Sequence, residues 1–200
     1  MIQIKMFSDI ICEWCFLAWK ILETLRGSYD FQVEYLWYEI HPDTPVGGMS
    51  MKQHNPRPGR FFRILNQLGE PYNVRFYEKT LFVNTRKALL LGEYAREVGK
   101  ETAYIKTVWN SFMVEGADIG RTEVLEEIAL SIGLSPSGFQ QAFTDPKYQV
   151  SLMINEELSK AYGSESVPTF IVNDEYILTG AQADKTWREL FDKINFGVDS

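Results

Sequence analysis

The sequence predicts an α/β fold in which a central mixed sheet, flanked by helices, is interrupted by a large all-helical insertion. Three observations predict it. Near the N-terminus, a strand-like alternation of apolar residues is followed by helical spacing and then by a second alternation. Most of the middle of the chain has helical periodicity, and two short β-rich runs with a helical face come near the C-terminus. The order is therefore βαβ, then helices, then ββα, and the two outer parts can join in one sheet.

The N-terminal segment predicts a strand–helix–strand unit. Residues 2–7 alternate as a strand does, and residues 31–37 alternate again. Between them, the apolar side chains of residues 14–25 recur at helical spacing until Gly27 ends the helix. Two parallel strands joined by a helix imply a right-handed crossover.

The middle of the chain divides into a loop and a helical block. Residues 42–59 contain many Pro and Gly residues and predict a loop, whereas residues 60–163 are mostly helical in pattern. Asp145 and Pro146 favour an N-cap followed by proline at the first helical position. We expect helices at residues 84–99, at 103–113, from a cap at Thr122 to before Gly133, and from Pro146 toward Ala161. Five aromatic residues are expected in the core of this block: Phe61, Phe62, Tyr72, Phe76 and Tyr77.

The C-terminal segment predicts a hairpin followed by a helix. Residues 169–172 and 176–179 are β-rich, and Asn173-Asp174 between them favours a two-residue turn. Residues 187–194 then present a helical apolar face. We therefore expect two domains. Residues 1–58 and 164–200 form one around the sheet, and residues 59–163 form the helical insertion with its connecting helix.

The composition limits the classes of partner. The 200 residues are 45% hydrophobic and 24% charged, with a net charge of -7, as is ordinary for a soluble globular protein. This charge argues against nucleic acid as a partner, because phosphate binding needs a basic patch. No stretch approaches the roughly 18 to 20 uncharged apolar residues that span a membrane, and the N-terminus lacks the form of a signal peptide. We expect a cytoplasmic protein with no membrane partner.

The two cysteines of the chain, Cys12 and Cys15, form a C-x-x-C motif at the start of the first predicted helix. The unpaired N–H groups and partial positive charge of a helix N-terminus favour a thiolate, which is the attacking species in disulfide exchange. Cys12, nearer the helix start, is the expected nucleophile, and Cys15 is expected to resolve the mixed disulfide. Structural zinc and an inert buried pair are the competing interpretations. Zinc needs two further ligands, and the spacing of His41 and His54 does not match a zinc module, so we expect no metal.

Three segments of the chain carry a resemblance to a known family. They are S-D-I-I-C-E-W-C at residues 8–15, V-P-T-F at residues 167–170 and G-A-Q at residues 180–182. In these segments and in the order of its elements, the chain resembles the DsbA-like branch of the thioredoxin superfamily, particularly its FrnE-like cytosolic members. The resemblance implies a thioredoxin-like fold and a thiol–disulfide oxidoreductase that acts on protein or small-molecule thiols and disulfides. It also implies that no metal or organic cofactor is needed, with glutathione as a candidate reductant.

The same resemblance implies roles for the V-P dipeptide. In that family the proline equivalent to Pro168 is cis and faces the cysteines, where it blocks side reactions of the sulfurs. The residue before it, here Val167, offers its backbone to an extended substrate peptide. Trp14, between the cysteines, is expected either to line the substrate groove and shield the sulfurs or to pack on the protein surface.

Glu13 departs from the family, which usually has proline at this position. A carboxylate at roughly 6 Å from a thiolate repels it by about 0.7–3 kcal/mol at an effective dielectric of about 20–80. The helix terminus contributes typically about 0.3–1 kcal/mol, and up to about 2 kcal/mol, in the opposite direction. The two effects are comparable, so the Glu13 carboxylate offsets much of the helix contribution. Because a less stable thiolate makes a less oxidising couple, we predict a weak oxidant suited to reducing or isomerising disulfides. The alternative is that Glu13 points into solvent and is screened.

Three other polar residues have simpler expected roles. Asp9 is expected to cap the strand-to-helix turn rather than to move protons. His41 is expected to be a loop residue rather than a proton relay, and His54 is expected to be solvated.

Two other functions remain open at this point. The first is a glutathione-dependent transferase or isomerase of the kappa type, which resembles this architecture but usually lacks the cysteine pair. The second is a thioredoxin-fold chaperone or interaction module whose cysteines are incidental. A homodimer is compatible with the sequence in each case.

Overall fold

The computed structural model describes residues 1–197, so residues 198–200 of the predicted C-terminal segment lie outside the described residues. The strands in the described part are β1 (Ile2–Ser8), β2 (Phe31–Trp37), β3 (Met49–Ser50), β4 (Leu81–Phe82), β5 (Thr169–Val172) and β6 (Tyr176–Thr179). The helices there are α1 (Glu13–Leu25), α2 (Met51–His54), α3 (Pro58–Gly69), α4 (Arg86–Glu97), α5 (Glu101–Met113), α6 (Thr122–Ser131), α7 (Pro136–Thr144), α8 (Pro146–Ala161) and α9 (Asp184–Phe196).

The main sheet has four strands in the order β2-β1-β5-β6. β1 is parallel to β2 and antiparallel to β5, and β5 is antiparallel to β6. The predicted mixed sheet and the βαβ…ββα order are therefore confirmed. The turn between β5 and β6 also agrees with its sequence, since Asn173 and Asp174 both have positive φ angles of 51° and 55°, which Asn and Asp adopt more easily than most residues.

The sheet is covered on both faces because alternate residues of each strand point in opposite directions. Ile2, Ile4 and Met6 of β1 belong to the large apolar core that includes α1 and α9. Phe7 points the other way and packs with Leu36, Ile171 and apolar side chains of α8 and its C-terminal end. The strand that leads into the cysteine motif is thus held in the centre of the molecule.

The helical block differs from the sequence-based expectation at several places. The predicted loop at residues 42–59 contains β3 and α2, and β3 pairs with β4 of the helical block. Thr122 is the first residue of α6 rather than its cap, since Arg121 occupies the N-cap position. Tyr77 is 47% exposed and is not a core residue.

The helix α7 is an element that the sequence analysis missed. Its signal is present in the sequence, because Ser135 accepts a hydrogen bond from the N–H of Gly138 and Pro136 takes the first helical position. The same arrangement at Asp145 and Pro146 begins α8 as expected. The proposed division into two domains stays a prediction, and the β3–β4 pairing crosses its boundary at residue 58.

Within residues 1–197, each helix is either too short or too polar to cross a lipid bilayer.

Candidate active site at the start of α1

Cys12 itself is the N-cap residue of α1. Its backbone is extended, with φ -78° and ψ 108°, and its Sγ accepts a hydrogen bond from the N–H of Cys15 at 3.3 Å. A sulfur in this position takes the place that a Ser, Thr or Asp oxygen usually occupies. The helix terminus therefore directs an N–H group at the sulfur, which favours its anionic form.

Asp9 caps the turn between β1 and α1, as expected, although the N-cap residue of the helix itself is Cys12. The Asp9 Oδ1 accepts from the N–H of Ile11 at 3.2 Å, and its Oδ2 accepts from the N–H of Ile40 at 2.9 Å. The side chain is fully buried, and burial raises the pKa of Asp9 to about 6 against the lowering effect of these hydrogen bonds. Asp9 thus ties the turn before the cysteines to the segment that follows β2.

The two cysteines are free thiols that approach each other to 3.0 Å. Cys12 keeps 7% of its surface exposed, whereas Cys15 has none. Burial, followed by the hydrogen bond with Cys12, raises the pKa of the Cys15 thiol well above its usual value. The Ser8 side chain and the backbone of Asp9 act in the opposite direction. Cys12 is thus the member of the pair that a dissolved disulfide can reach.

The Val167–Pro168 segment lies directly beside Cys12. The peptide bond between these two residues is cis. The Cys12 thiol donates to the carbonyl oxygen of Val167 at 3.6 Å, and Val167 is half-buried while Pro168 is buried. The structure therefore brings together the C-x-x-C motif and the V-P dipeptide, which are separated by about 150 residues in the sequence.

Glu13 forms an ion pair with Lys79. The Lys79 Nζ lies 2.9 Å from Glu13 Oε1, and the two side chains are only 5% and 12% exposed, respectively. The expectation that Glu13 points into solvent is therefore wrong. No sequence signal identified Lys79, because it lies in the irregular segment between α3 and β4, where no periodicity marks its contacts.

The surroundings of Lys79 are otherwise apolar. Its Nζ lies 3.9 Å from the ring centroid of Phe112 and donates to Met113 Sδ at 3.1 Å. Burial lowers the pKa of Lys79, and the nearby Glu13 carboxylate and Cys12 oppose this effect. A buried cation of this kind requires a nearby anion, since desolvation penalises the charged form.

A pocket of about 270 Å³ opens beside Cys12. Its lining includes Trp14 of α1 and Val167, together with Met51 of α2 and Phe61 of α3. Trp14 is half-buried and contacts Phe61 edge to face, with 6.4 Å between ring centroids. Of the two expectations for Trp14, its place in the pocket wall favours the groove-lining one.

Two histidines form another wall of this pocket. His54 is exposed to solvent, as expected, but its ring also stacks on Phe82 with 3.7 Å between centroids. His41 lies in the loop after β2, and its ring centroid is 5.0 Å from that of His54. Burial and the nearby His54 lower the pKa of His41, with Glu13 opposing them. Both effects favour the neutral imidazole of His41 over its charged form.

Metal binding has no support in the described part of the chain. Among residues 1–197, no group of three or more His, Cys, Asp or Glu side chains is placed to hold a metal ion. The two histidines of the pocket pair with an aromatic ring and with each other rather than with the cysteines.

Comparison with known proteins gives one family and one curated relative. The model of the DSBA-like thioredoxin domain family matches residues 3–191. The uncharacterized protein YwbO of Bacillus subtilis (strain 168) is 27% identical over 194 residues, which are 92% of each chain.

Solved structures with the same fold include two from bacteria. The probable DsbA oxidoreductase of Streptomyces coelicolor has a TM-score of 0.89 at 17% identity, with 100% of this chain and 92% of that chain covered. The cytosolic disulfide reductase DsbM of Pseudomonas aeruginosa, solved with GSH, has a TM-score of 0.70 at 16% identity, with 96% and 98% covered. At these identities the likeness shows a shared fold.

Proposed function

Because the chain belongs to the DSBA-like thioredoxin domain family, we propose that it is a thiol–disulfide oxidoreductase in which Cys12 and Cys15 exchange electrons with protein or small-molecule disulfides. The observation that carries the proposal is the position of Cys12. Its sulfur caps α1, accepts the Cys15 N–H at 3.3 Å and keeps access to a pocket. A helix N-terminus and partial exposure are the conditions under which a cysteine becomes reactive.

In the proposed reaction, the Cys12 thiolate attacks one sulfur of the substrate disulfide. A bond forms between Cys12 and that sulfur, while the other substrate sulfur leaves as a thiolate and takes up a proton. Cys15 then loses its proton and attacks Cys12, which breaks the mixed disulfide and releases the second substrate thiol. The cysteine pair is oxidised to a disulfide, and the substrate is reduced by two electrons.

Substrate binding is proposed for the pocket wall formed by Val167 and Trp14. The Val167 carbonyl already contacts the Cys12 sulfur, so a substrate chain in extended conformation could pair with the same backbone segment. For Pro168 we propose the role that the family resemblance implies, which is to block side reactions of the sulfurs. The pocket volume of about 270 Å³ suits a small thiol compound or a few residues of a peptide.

Two dissolved thiols must restore the reduced cysteine pair after each turnover. We propose glutathione as this reductant and the cytoplasm as the compartment. The structural likeness to DsbM, a cytosolic disulfide reductase solved with GSH, supports both assignments. No metal or organic cofactor enters the reaction, because the electrons come from thiols alone.

The proposed function is tested by insulin reduction with purified protein and its Cys12→Ser and Cys15→Ser variants. We expect turnover by the wild type, none by Cys12→Ser, and a trapped mixed disulfide with Cys15→Ser. Equal turnover by Cys12→Ser and the wild type would discard the proposal in favour of a chaperone or interaction module. Full activity of Cys15→Ser on a glutathione-linked substrate would favour the kappa-type alternative instead.

A further inference from the structure

Glu13 places a negative charge next to the sulfur that is proposed to attack the substrate. A carboxylate one residue from Cys12 would disfavour the thiolate if it were alone. It is not alone, because the ammonium group of Lys79 lies 2.9 Å from its Oε1. The charge that Cys12 experiences is therefore that of the pair and not that of Glu13.

Lys79 is held in this position by apolar packing. Its ammonium group lies over the Phe112 ring and against the sulfur of Met113, and only 5% of its side chain is exposed. A surface lysine could move away from the ion pair into water, whereas Lys79 is enclosed by the helical block. This enclosure holds its charge beside Glu13.

The state of Cys12 changes the charge near this lysine. Reduced Cys12 in thiolate form adds a second anion beside Glu13, and the disulfide form removes it. Lys79 is paired with the residue that follows Cys12 in the chain, and a Cys12 thiolate favours the charged form of the lysine. By reciprocity, the charged lysine favours the thiolate.

We propose that Lys79 is a positioning residue that offsets the charge of Glu13 and stabilises the Cys12 thiolate, so that the irregular segment between α3 and β4 controls the reactivity of the cysteine pair. This inference deepens the proposed function and rests on it. Its test, however, measures the ionisation of one thiol and requires no turnover.

The test measures the rate of Cys12 alkylation by iodoacetamide against pH, with the modified residue located by mass spectrometry. Cys15 does not interfere, because it is fully buried. For Lys79→Met we expect the midpoint of the Cys12 titration to rise by about half to one and a half pH units. For Glu13→Gln we expect a shift of similar size in the opposite direction.

Two further variants keep the test decisive if Lys79→Met does not fold, since that change leaves Glu13 buried without its partner. Lys79→Arg keeps the charge and should retain a midpoint near that of the wild type. The double variant Glu13→Gln/Lys79→Met removes both charges. Its midpoint should lie above that of Glu13→Gln, and the difference reports the effect of Lys79 on Cys12 directly.

Lys20→Met is the matched control. Lys20 also lies on aromatic rings, with its Nζ 5.3 Å from the centroid of Trp19, but it is two turns along α1 from Cys12 and should leave the midpoint unchanged. An equal shift in Lys20→Met and Lys79→Met would overturn the proposal, as would equal midpoints for Glu13→Gln and the double variant. Loss of insulin reduction with these shifts intact would refute the proposed function alone.

Discussion

The buried carboxylate of Asp9 accepts a hydrogen bond from the N–H of Ile40 at 2.9 Å and thereby joins the turn before Cys12 to the loop that carries His41. This contact connects two walls of the pocket through one ionisable group. Burial raises the pKa of Asp9 from 3.8 to about 6. Between these pH values the Asp9 carboxyl is therefore protonated in the folded protein and ionised in the unfolded chain.

We expect Asp9 to make stability depend on pH. The folded-state pKa is raised, so protonation favours the native state. The contribution of protonated Asp9 to the free energy of unfolding is full below about pH 4 and is lost as the pH rises through about 6. A shift of about 2 units corresponds to about 3 kcal/mol. Urea denaturation of the wild type and of Asp9→Asn between pH 4 and 7 measures this contribution, which should be absent from the variant.

Asp145→Asn provides the control for this prediction, because Asp145 is an N-cap carboxylate on the surface whose pKa is lowered by the Lys147 N–H. Like the wild type, that variant should become less stable as the pH rises from 4 to 6. The assignment to Asp9 would be wrong if Asp9→Asn showed the same pH dependence as the wild type.

Ser8→Ala should slow the step in which Cys15 resolves the mixed disulfide. The Ser8 side chain is fully buried and lowers the pKa of the Cys15 thiol, which burial otherwise raises. The buried Ser8 hydroxyl has no hydrogen-bond partner in the described part of the reduced protein, so it is available to donate to the Cys15 thiolate as this forms. Losing such a hydrogen bond, of about 1 kcal/mol, predicts a mixed disulfide with glutathione that lives about fivefold longer. Acid quenching followed by mass spectrometry measures this lifetime. Ser159→Ala removes an equally buried hydroxyl from α8 and should not lengthen it.

Trp14→Ala should weaken substrate binding without abolishing the chemistry. Trp14 lines the pocket and contacts the edge of Phe61, so its removal takes away an apolar surface beside Cys12. A lost aromatic contact of about 1 kcal/mol predicts a KM about fivefold higher for glutathione disulfide with little change in kcat. Phe196→Ala, which removes a 73% exposed ring from α9, is the control. A fall in kcat alone would count against the role of Trp14 in binding.

Glu13→Gln should make the cysteine pair more oxidising, because the thiolate loses a nearby negative charge. For a two-electron couple, a tenfold change in equilibrium constant is about 30 mV, so the expected shift of about half to one and a half pH units in the Cys12 titration raises the reduction potential by about 15–45 mV. Equilibration with glutathione buffers at a pH where Cys12 is ionised gives this value. Glu23→Gln, also on α1 and paired with Arg26, should leave the potential unchanged, and an equal rise in both variants would contradict the prediction.

The local pattern of the sequence determined much of the fold. The alternation of β1 and β2, the spacing of α1 and the turn at Asn173 and Asp174 predict their elements correctly, because each depends on neighbours a few residues away. The C-x-x-C motif marked the candidate site for the same reason. The helix α7 was predictable too, since Ser135 and Pro136 provide its start.

Only the tertiary structure decided the environment of Cys12. Its contacts with Val167, the pairing of Glu13 with Lys79 and the stacking of His54 on Phe82 each join distant parts of the chain. Irregular segments such as the one that carries Lys79 have no periodicity that reports what they touch. Their positions follow from the packing of the helical block against α1, which buries a lysine where the charge of Glu13 offsets part of the desolvation cost. The sequence alone therefore determined the candidate cysteine pair, and the folded chain decided the charges around it.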